Sequence, residues 1–281
     1  MVMAGSEKRI KARSFSDRLC TLFRADGRRM VTTPLFWIML GIALAVPILV
    51  LVMTSMVGGE EGGMMFRGTW QIIAQPAGDG MAMMAAMGSA MGGGTPDPSP
   101  AGAMDMTSMM NINLVYFMTA VFVCLFVAED FRSGYAKNLF TVRERKGDYA
   151  ASKTLIGILA GACFLLAFFV GGVLGGAVAG LSFDLGAAGI SGLVMCMIAK
   201  IALLGVFVPI FVTMSVIARP RSWMSILLSL FAGMLLFMMI PMMSPLDAGI
   251  MHAGLCLAGG AMFSLGLGAV SCGILKRVSP V

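Results

Sequence analysis

Residues 154–181 read TLIGILAGACFLLAFFVGGVLGGAVAGL, and no charged side chain interrupts them. At 1.5 Å of rise per residue, about 20 residues of α-helix cross a hydrocarbon core of roughly 30 Å. Every backbone polar group inside a bilayer must be hydrogen-bonded, so a continuous apolar run of this length predicts a transmembrane helix. A closed β-barrel would instead need alternating segments of about ten residues.

The composition of the whole chain indicates the same class of protein. Of its 281 residues, 58% are hydrophobic and 12% are charged, whereas about a quarter of the residues of a soluble domain are charged. We therefore expect an all-α polytopic membrane protein with six spans. The second span is short, and we expect it to extend into the residues beside it. The predicted spans are Leu35–Val57, Leu114–Ala128, Thr154–Leu181, Ile190–Ala218, Trp223–Met243 and Ile250–Leu275.

The positions of the basic residues predict how these spans are oriented. Residues 1–33, residues 129–153 and the segments after the fourth and sixth spans hold 18 of the 20 Lys and Arg residues. All of these segments lie on one side of the predicted bundle, and short basic loops stay in the cytoplasm. We therefore expect a multi-pass protein of the cytoplasmic membrane with both termini inside. The net charge of +6 then reflects topology and not nucleic-acid binding.

The predicted organisation is a single transmembrane domain with one long outer loop and one long cytoplasmic loop. Its predicted parts are a cytoplasmic arm (1–34), the first span (35–57), a Met- and Gly-rich outer loop (58–113), the second span (114–128), a cytoplasmic loop (129–153), and four further spans with a short cytoplasmic tail (154–281).

The amino-terminal arm has the pattern of an amphipathic helix. Phe15, Leu19, Leu22 and Phe23 fall on one helical face, with charged residues around them. This predicts a helix that lies along the inner membrane surface, with its basic residues near anionic headgroups. A flexible basic arm that only enforces topology is the alternative, and it leaves the apolar face without a role.

The cytoplasmic loop combines charge with a second apolar pattern. Phe131, Tyr135 and Leu139 fall at positions i, i+4 and i+8, and ten charged residues lie within residues 128–153. A solvated loop that holds the topology explains the charges but not the apolar stripe. A short cytoplasmic helix that presents this stripe to a binding partner explains both features.

The order of these features resembles the membrane subunit of an ABC transporter of the type-2 permease (type V exporter-like) family. The resemblance covers nearly the whole chain in architecture, and its motif content is concentrated in residues 129–153. The outer loop is longer than in many family members, and the loop between the fifth and sixth spans has no obvious pair of re-entrant helices. The matching features are Glu129-Asp130, Gly134, Lys137-Asn138, the basic cluster Arg143–Lys146, Asp148-Tyr149 and Lys153.

The resemblance implies a role for the cytoplasmic loop. In that family, the loop between the second and third spans carries a coupling helix, which docks on a separate ATP-binding subunit and passes nucleotide-driven closure to the spans. The arm of residues 14–30 would match the family's connecting helix. Two ATP-binding subunits, holding ATP and Mg, and a second permease copy or a paralogue are implied as partners. The implied coupling residues are Glu129, Asp130, Phe131, Arg132, Gly134, Tyr135, Lys137, Leu139, Arg143 and Arg145.

The chain has no sequence signal for an energy source or a catalytic site of its own. No G-x-x-x-x-G-K-[ST] phosphate loop occurs, so the chain does not hydrolyse ATP by that route. No carboxylate falls in the middle of a predicted span, where an ion-driven transporter would keep its relay sites. A single histidine and no H-E-x-x-H motif indicate that the chain is not an enzyme. ATP hydrolysis in a partner subunit fits this pattern.

Three further features leave alternatives open. Gly172, Gly176 and Gly180 form a small-residue face for packing within the bundle or at a dimer seam. Lys200 either extends to the outer surface or faces a cavity that receives an anionic substrate. The outer loop holds 11 of the 29 methionines, which serve either as an apolar cap or as soft ligands for Cu(I). The methionines on one helical face are Met84, Met87 and Met91.

The sequence therefore predicts the permease subunit of an ATP-driven exporter that moves an amphipathic substrate, such as a peptide, a lipid or a drug. The cargo class follows from the family resemblance. One alternative is a membrane-anchored interaction or sensing protein, whose cytoplasmic helix binds a regulator while nothing crosses the membrane. A second alternative is a copper-handling permease that uses its Met-rich outer loop.

Overall fold

The computed structural model describes residues 15–58, 100–142, 146–178, 189–218, 221–237 and 250–277. Within these ranges all regular structure is α-helical, which confirms the predicted all-α class. The eight helices of the described ranges are α1 (Phe15–Thr32), α2 (Pro34–Gly58), α3 (Pro100–Arg132), α4 (Tyr135–Val142), α5 (Lys146–Val178), α6 (Gly189–Ala218), α7 (Ser222–Phe237) and α8 (Ile250–Arg277).

Several of these helices are long and apolar enough to cross a membrane. By length and composition, three helical segments of the described chain qualify: Lys146–Val178, Met197–Ala218 and Gly254–Leu275. The bent pair α1 and α2 makes a fourth if it is counted as one span. The structure thus supports the membrane class, while six spans and the side on which the termini lie stay predictions.

The helix ends differ from the predicted span ends in a consistent way. α3 runs from Pro100 to Arg132, well beyond the predicted second span on both sides. α5 begins at Lys146, inside the segment predicted to be a cytoplasmic loop. Apolar composition identifies only the part of a helix that is covered by lipid or by the protein core. The helical backbone hydrogen bonds continue into the polar residues on either side of that part. The described part of α7 ends at Phe237, and the remainder of the fifth predicted span lies outside the described residues.

A sharp bend of 67° separates α1 from α2. Pro34 begins α2, where its missing N–H costs nothing, and a proline disfavours helical geometry at the residue before it. Thr33 caps α1, because both its N–H and its hydroxyl donate to the Arg29 carbonyl, at 3.0 and 2.7 Å. The Trp37 indole N–H donates to the Val31 carbonyl across the bend, at 2.8 Å. Local hydrogen bonds therefore hold α1 at an angle to α2.

The apolar core lies where α2, α3, α5 and α6 meet. Three buried rings, Phe36, Phe122 and Phe164, pack with centroid separations of 5.6–6.0 Å. Each ring comes from a different helix, so this contact joins α2, α3 and α5. Aromatic pairs at such separations stabilise a core beyond the apolar area that they bury.

Glycines of α5 bring this helix close to its neighbours. A Cβ atom at Gly157 would lie 2.5 Å from Val208 Cγ1, and one at Gly161 would lie 2.9 Å from Leu204 Cδ2. Both glycines, four residues apart, face α6, which is the small-residue spacing that lets helices approach closely in lipid.

The packing glycines only partly coincide with the predicted ones. A Cβ atom at Gly171 would collide with the Leu44 carbonyl oxygen and the Pro47 ring of α2. A Cβ atom at Gly172 would meet no heavy atom within 4 Å. Gly176 is buried, and Gly180 lies outside the described residues. The close approach of α5 to α2 therefore occurs at Gly171, one residue before the predicted position.

Buried hydroxyl groups join the carboxyl-terminal part of α6 to its neighbours. The Thr213 and Ser271 hydroxyls, from α6 and α8, lie 2.8 Å apart, and Ser225 of α7 donates to Ser215 of α6 at 2.8 Å. The Cys124 thiol of α3 donates to the Ser229 hydroxyl of α7 at 3.1 Å. These interhelical bonds lie near the last turns of α6 and α8 and the first turns of α7.

Replacing Gly171 with alanine should destabilise the bundle, because the new methyl group would collide with a backbone carbonyl that cannot rotate away. We expect a loss of about 1–3 kcal/mol, the usual cost of overpacking. The free energy of unfolding in mixed micelles measures this loss. Gly172→Ala, at the adjacent position with open space, is the matched control and should leave that free energy nearly unchanged. Equal effects of the two variants would show that α5 does not approach α2 at Gly171.

Candidate functional site

The most distinctive feature of the described chain is a group of buried charges between α1, α3 and α5. We call Asp26, Arg29, Asp130 and Lys153 the charge cluster. Asp26, Asp130 and Lys153 are at most 1% exposed, and Arg29 is half-buried at the edge. An isolated buried charge costs several kcal/mol, so charges in this position must be paired with good geometry.

Lys153 is the centre of the cluster. From the first turns of α5, its Nζ atom donates to Asp26 Oδ1 at 2.8 Å and to Asp130 Oδ2 at 2.7 Å. Asp26 belongs to α1 and Asp130 to the last turn of α3. One ammonium group thus joins three helices through two charge-assisted hydrogen bonds, which are the stronger kind.

The remaining carboxylate oxygens are also satisfied. Asp26 Oδ2 accepts from the Ser152 hydroxyl at 2.7 Å, and Asp130 Oδ1 accepts from Arg29 Nη1 at 2.7 Å. The Tyr149 hydroxyl donates to Asp130 Oδ2 at 3.0 Å. Two acids face two bases, so the cluster is electrically balanced and every carboxylate oxygen accepts a hydrogen bond.

Aromatic rings surround the two cations. The Lys153 ammonium lies 4.2 Å from the centre of the Phe126 ring, and the Arg29 guanidinium lies 4.2 Å from the centre of the Tyr135 ring. Cation–π attraction at such distances adds to the ion pairs where water is excluded. Through Tyr135, the cluster also reaches α4.

The Tyr135 phenol stays neutral beside these charges. Partial burial raises the pKa of Tyr135 above its ordinary value, and the Asp26 and Asp130 carboxylates raise it further, while Arg29 opposes them. A tyrosine pKa is already near 10 in water. Tyr135 therefore contributes a ring face and a neutral hydroxyl to the cluster, and it adds no third negative charge near physiological pH.

Further contacts join the same elements outside the cluster. Arg18 Nε of α1 pairs with Asp148 Oδ2, in the first turn of α5, at 3.0 Å. Lys146 Nζ donates to the Leu275 carbonyl in the last turns of α8 at 2.7 Å. α1 is thus attached to α5 at two places, and the start of α5 is attached to the end of α8.

The predicted coupling stripe packs against helices of this chain. The Phe131 ring lies 6.4 Å from the Tyr149 ring, and Tyr135 lies under Arg29. Leu139 packs against the apolar group that contains Tyr149 and Leu275. Asp130, which was also expected to contact a partner, is fully buried in the charge cluster. The stripe and Asp130 therefore face the bundle, because their neighbours in the same chain cover them.

A different face of this segment is open to contact. Glu129 and Arg132, 3.8 Å apart, and Lys137 are exposed, as are Ser133, Asn138 and Thr141. Gly134 makes the turn between α3 and α4 with a φ of 74°, a conformation that glycine adopts most easily. Arg143 and Arg145, the other predicted coupling residues, lie outside the described residues.

The arm is helical as predicted, but its apolar face is turned toward the bundle. Leu22 and Met30 of α1 are buried together with Asp26, and they follow the spacing i, i+4 and i+8. Leu19 and Phe23 are half-buried, whereas Phe15 is 55% exposed. Sequence reasoning missed Asp26 and Arg29 because it treated charges on an amphipathic helix as solvent-facing. The signal for Asp26 is that it lies midway between two residues of the buried face.

The remaining candidates fall at different places. Lys200 is buried in α6 at 6% exposure, and its carbonyl accepts a hydrogen bond from the Tyr116 hydroxyl of α3 at 3.0 Å. It is therefore buried against other helices of the described bundle. Met84, Met87 and Met91 lie outside the described residues. Among the described residues, no group of three His, Cys, Asp or Glu side chains is placed to hold a metal ion.

Comparisons with known proteins give no family assignment. No protein-family model, no curated protein and no solved structure matches the chain.

Replacing Lys153 with methionine should destabilise the fold strongly. The change leaves two buried carboxylates with Arg29 as the remaining cation of the cluster, and breaking one partner of a buried pair costs about 3–5 kcal/mol. Unfolding in mixed micelles measures this cost. Arg132→Gln breaks only the exposed pair with Glu129 and should cost less than about 1 kcal/mol. A Lys153→Met protein as stable as the Arg132→Gln protein would contradict the bridging role.

Proposed function

We propose that this chain is the permease subunit of an ATP-driven exporter of the cytoplasmic membrane. In this proposal, six spans cross the bilayer with both termini inside, and two copies of a separate ATP-binding subunit supply the energy. A second permease copy or a paralogue completes the transport pathway. The cargo class, an amphipathic peptide, lipid or drug, rests on the resemblance of the sequence to type-2 permeases.

The observation that carries the proposal is the arrangement of α4. This short helix lies between two long helices, α3 and α5, with one face packed on the bundle and the other exposed. The exposed face is polar and carries Lys137, while Arg132 and Glu129 extend it along α3. A short helix of this kind offers a contact surface at the end of the bundle, as a docking element requires. Its direct packing on α5 and α1 supports a role in transmitting movement.

The exposed tryptophans support the proposed orientation. Trp37 near the start of α2 is 56% exposed, and Trp223 at the start of α7 is 64% exposed. Each follows a basic segment of the sequence, and tryptophan is enriched at the boundary between lipid and water. The starts of α2 and α7 would then mark the inner interface, with α4 on its cytoplasmic side.

The packing of Phe131 and Tyr135 makes them unsuitable for testing whether α4 docks on a partner. Phe131 and Tyr135 pack inside the chain, so changing them would disturb the bundle as well as any interface. Lys137 is exposed, and its charge can be reversed without removing a contact of the core.

Affinity purification of the tagged full-length chain in mild detergent tests the proposal. We expect a stoichiometric ATP-binding subunit to be recovered with the chain, and we expect Lys137→Glu to reduce that recovery at least severalfold. The reason is that a reversed charge at the centre of a docking surface meets an unfavourable partner charge. Arg221→Glu, which also reverses the charge of an exposed residue and lies before α7, is the matched control and should leave recovery unchanged.

Two outcomes would contradict the proposal in different ways. Purification without any ATP-binding subunit would favour a membrane-anchored protein that binds a cytoplasmic regulator. If the ATP-binding subunit is recovered equally well with Lys137→Glu and with Arg221→Glu, α4 is not the docking surface.

A further inference from the structure

The position of α1 against the bundle depends on the Asp26 carboxylate. The buried residues of α1 are Leu22, Asp26 and Met30, so a carboxylate lies between the two apolar contacts. Asp26 binds Lys153 and Ser152 of α5 at 2.8 and 2.7 Å. A shift of α1 by one turn would leave this carboxylate buried without its partners, which is strongly unfavourable. The ion pair therefore fixes the register of α1 against α5.

The same cluster connects α1 to the exposed helix α4. Tyr135, the first residue of α4, lies against the Arg29 guanidinium of α1, which in turn binds Asp130 of α3. α4 is also held to α5, because the Phe140 ring lies 5.3 Å from the Tyr149 ring. A displacement of α4 therefore acts on α1 and α5 through direct contacts.

We propose that the charge cluster makes α1, the end of α3, α4 and the start of α5 one rigid unit, in which Lys153 positions α1 relative to α4. This inference deepens the proposed function, because the partner that would push α4 is the ATP-binding subunit proposed above. A push on α4 would then move α1 and the bend at Thr33 together with the long helices α3 and α5. The competing account is that the apolar contacts of Leu22 and Met30 position α1 without help from the charges.

Charge balance predicts that a single and a double variant of the cluster differ in how firmly they hold α1. Removal of Lys153 alone leaves two buried carboxylates facing one guanidinium, and the excess charge favours movement of α1 away from α5. Removal of Lys153 and Asp26 together leaves Arg29 paired with Asp130 at 2.7 Å, which is again balanced. The double variant should therefore hold α1 better than the single variant, although it has lost more hydrogen bonds.

Pulsed electron paramagnetic resonance on the full chain in lipid nanodiscs measures the predicted rigidity. Spin labels at Arg24→Cys on α1 and Asn138→Cys on α4, both exposed positions, report the distance between the two helices. The six native cysteines are replaced first. We expect one narrow distance distribution in the parent chain, loss of that narrow peak in Lys153→Met, and its recovery in Asp26→Asn/Lys153→Met. Lys137→Met, an exposed lysine outside the cluster, should keep the narrow peak.

Several results would overturn the inference. A narrow peak retained in Lys153→Met would show that apolar contacts position α1. An equally broad distribution in the double variant would show that charge balance is not what holds the unit. If Lys153→Met fails to fold, Tyr135→Leu removes the contacts of the first residue of α4 with the cations Arg29 and Lys153 while leaving both ion pairs of Lys153 in place. A narrow peak in that variant would overturn the inference, and a broadened one would support it.

This experiment is independent of the proposed partner. It uses the permease chain alone, so a rigid unit would be found even if no ATP-binding subunit is recovered from cells. Conversely, a mobile α1 in a chain that does recover that subunit would reject the rigid unit and leave the proposed function standing.

Discussion

The two hydrogen bonds of the Lys153 ammonium are the interaction on which the described structure most depends. Asp26 and Asp130 come from distant parts of the chain, and neither carboxylate is stable in a dry interior without a cation. The bond to Asp26 holds the amphipathic helix α1 against α5, and the bond to Asp130 fixes the end of α3 beside it. The turn at Gly134 and the short helix α4 follow from where α3 ends.

The polar contacts are concentrated at one end of the bundle, where α3 ends and α5 begins. The charge cluster, the Lys146 contact with α8 and the hydroxyl bonds among α3, α6, α7 and α8 all lie there. Farther along α5, the described contacts are apolar side chains and close glycines. Directional polar bonds allow few alternative arrangements, whereas apolar surfaces can slide over one another. Within the described residues, the half of the bundle away from the cluster has fewer such bonds, among them those from Tyr116 to the Lys200 carbonyl and from Ser264 to the Gly205 carbonyl.

Hydropathy predicted the all-α class and the approximate positions of the long apolar helices, because apolar length is a direct requirement of the bilayer. Three described segments, or four with the bent pair α1 and α2, are long and apolar enough to cross a membrane. The expected extension of the second span into neighbouring residues agrees with α3, which runs from Pro100 to Arg132. Hydropathy does not mark where α3 and α5 end, since their polar turns continue the helix into residues outside the apolar pattern. The i, i+4 stripe of Phe131, Tyr135 and Leu139 was predicted to face a partner, whereas these residues are half-buried against helices of the same chain. The cover comes from Arg29, Tyr149 and Leu275, which are far away in sequence, so it becomes visible only in the folded chain.

The measurement that tests this account most directly is an electron cryomicroscopy structure of the chain purified from its own cells in lipid nanodiscs. The account predicts density for an ATP-binding subunit against the exposed face of α4, at the end of the bundle where Lys153 joins Asp26 to Asp130. It also predicts that α1 lies at that end, bent away from α2. A partner bound at the opposite end, or a chain in which Lys153 contacts neither carboxylate, would contradict it.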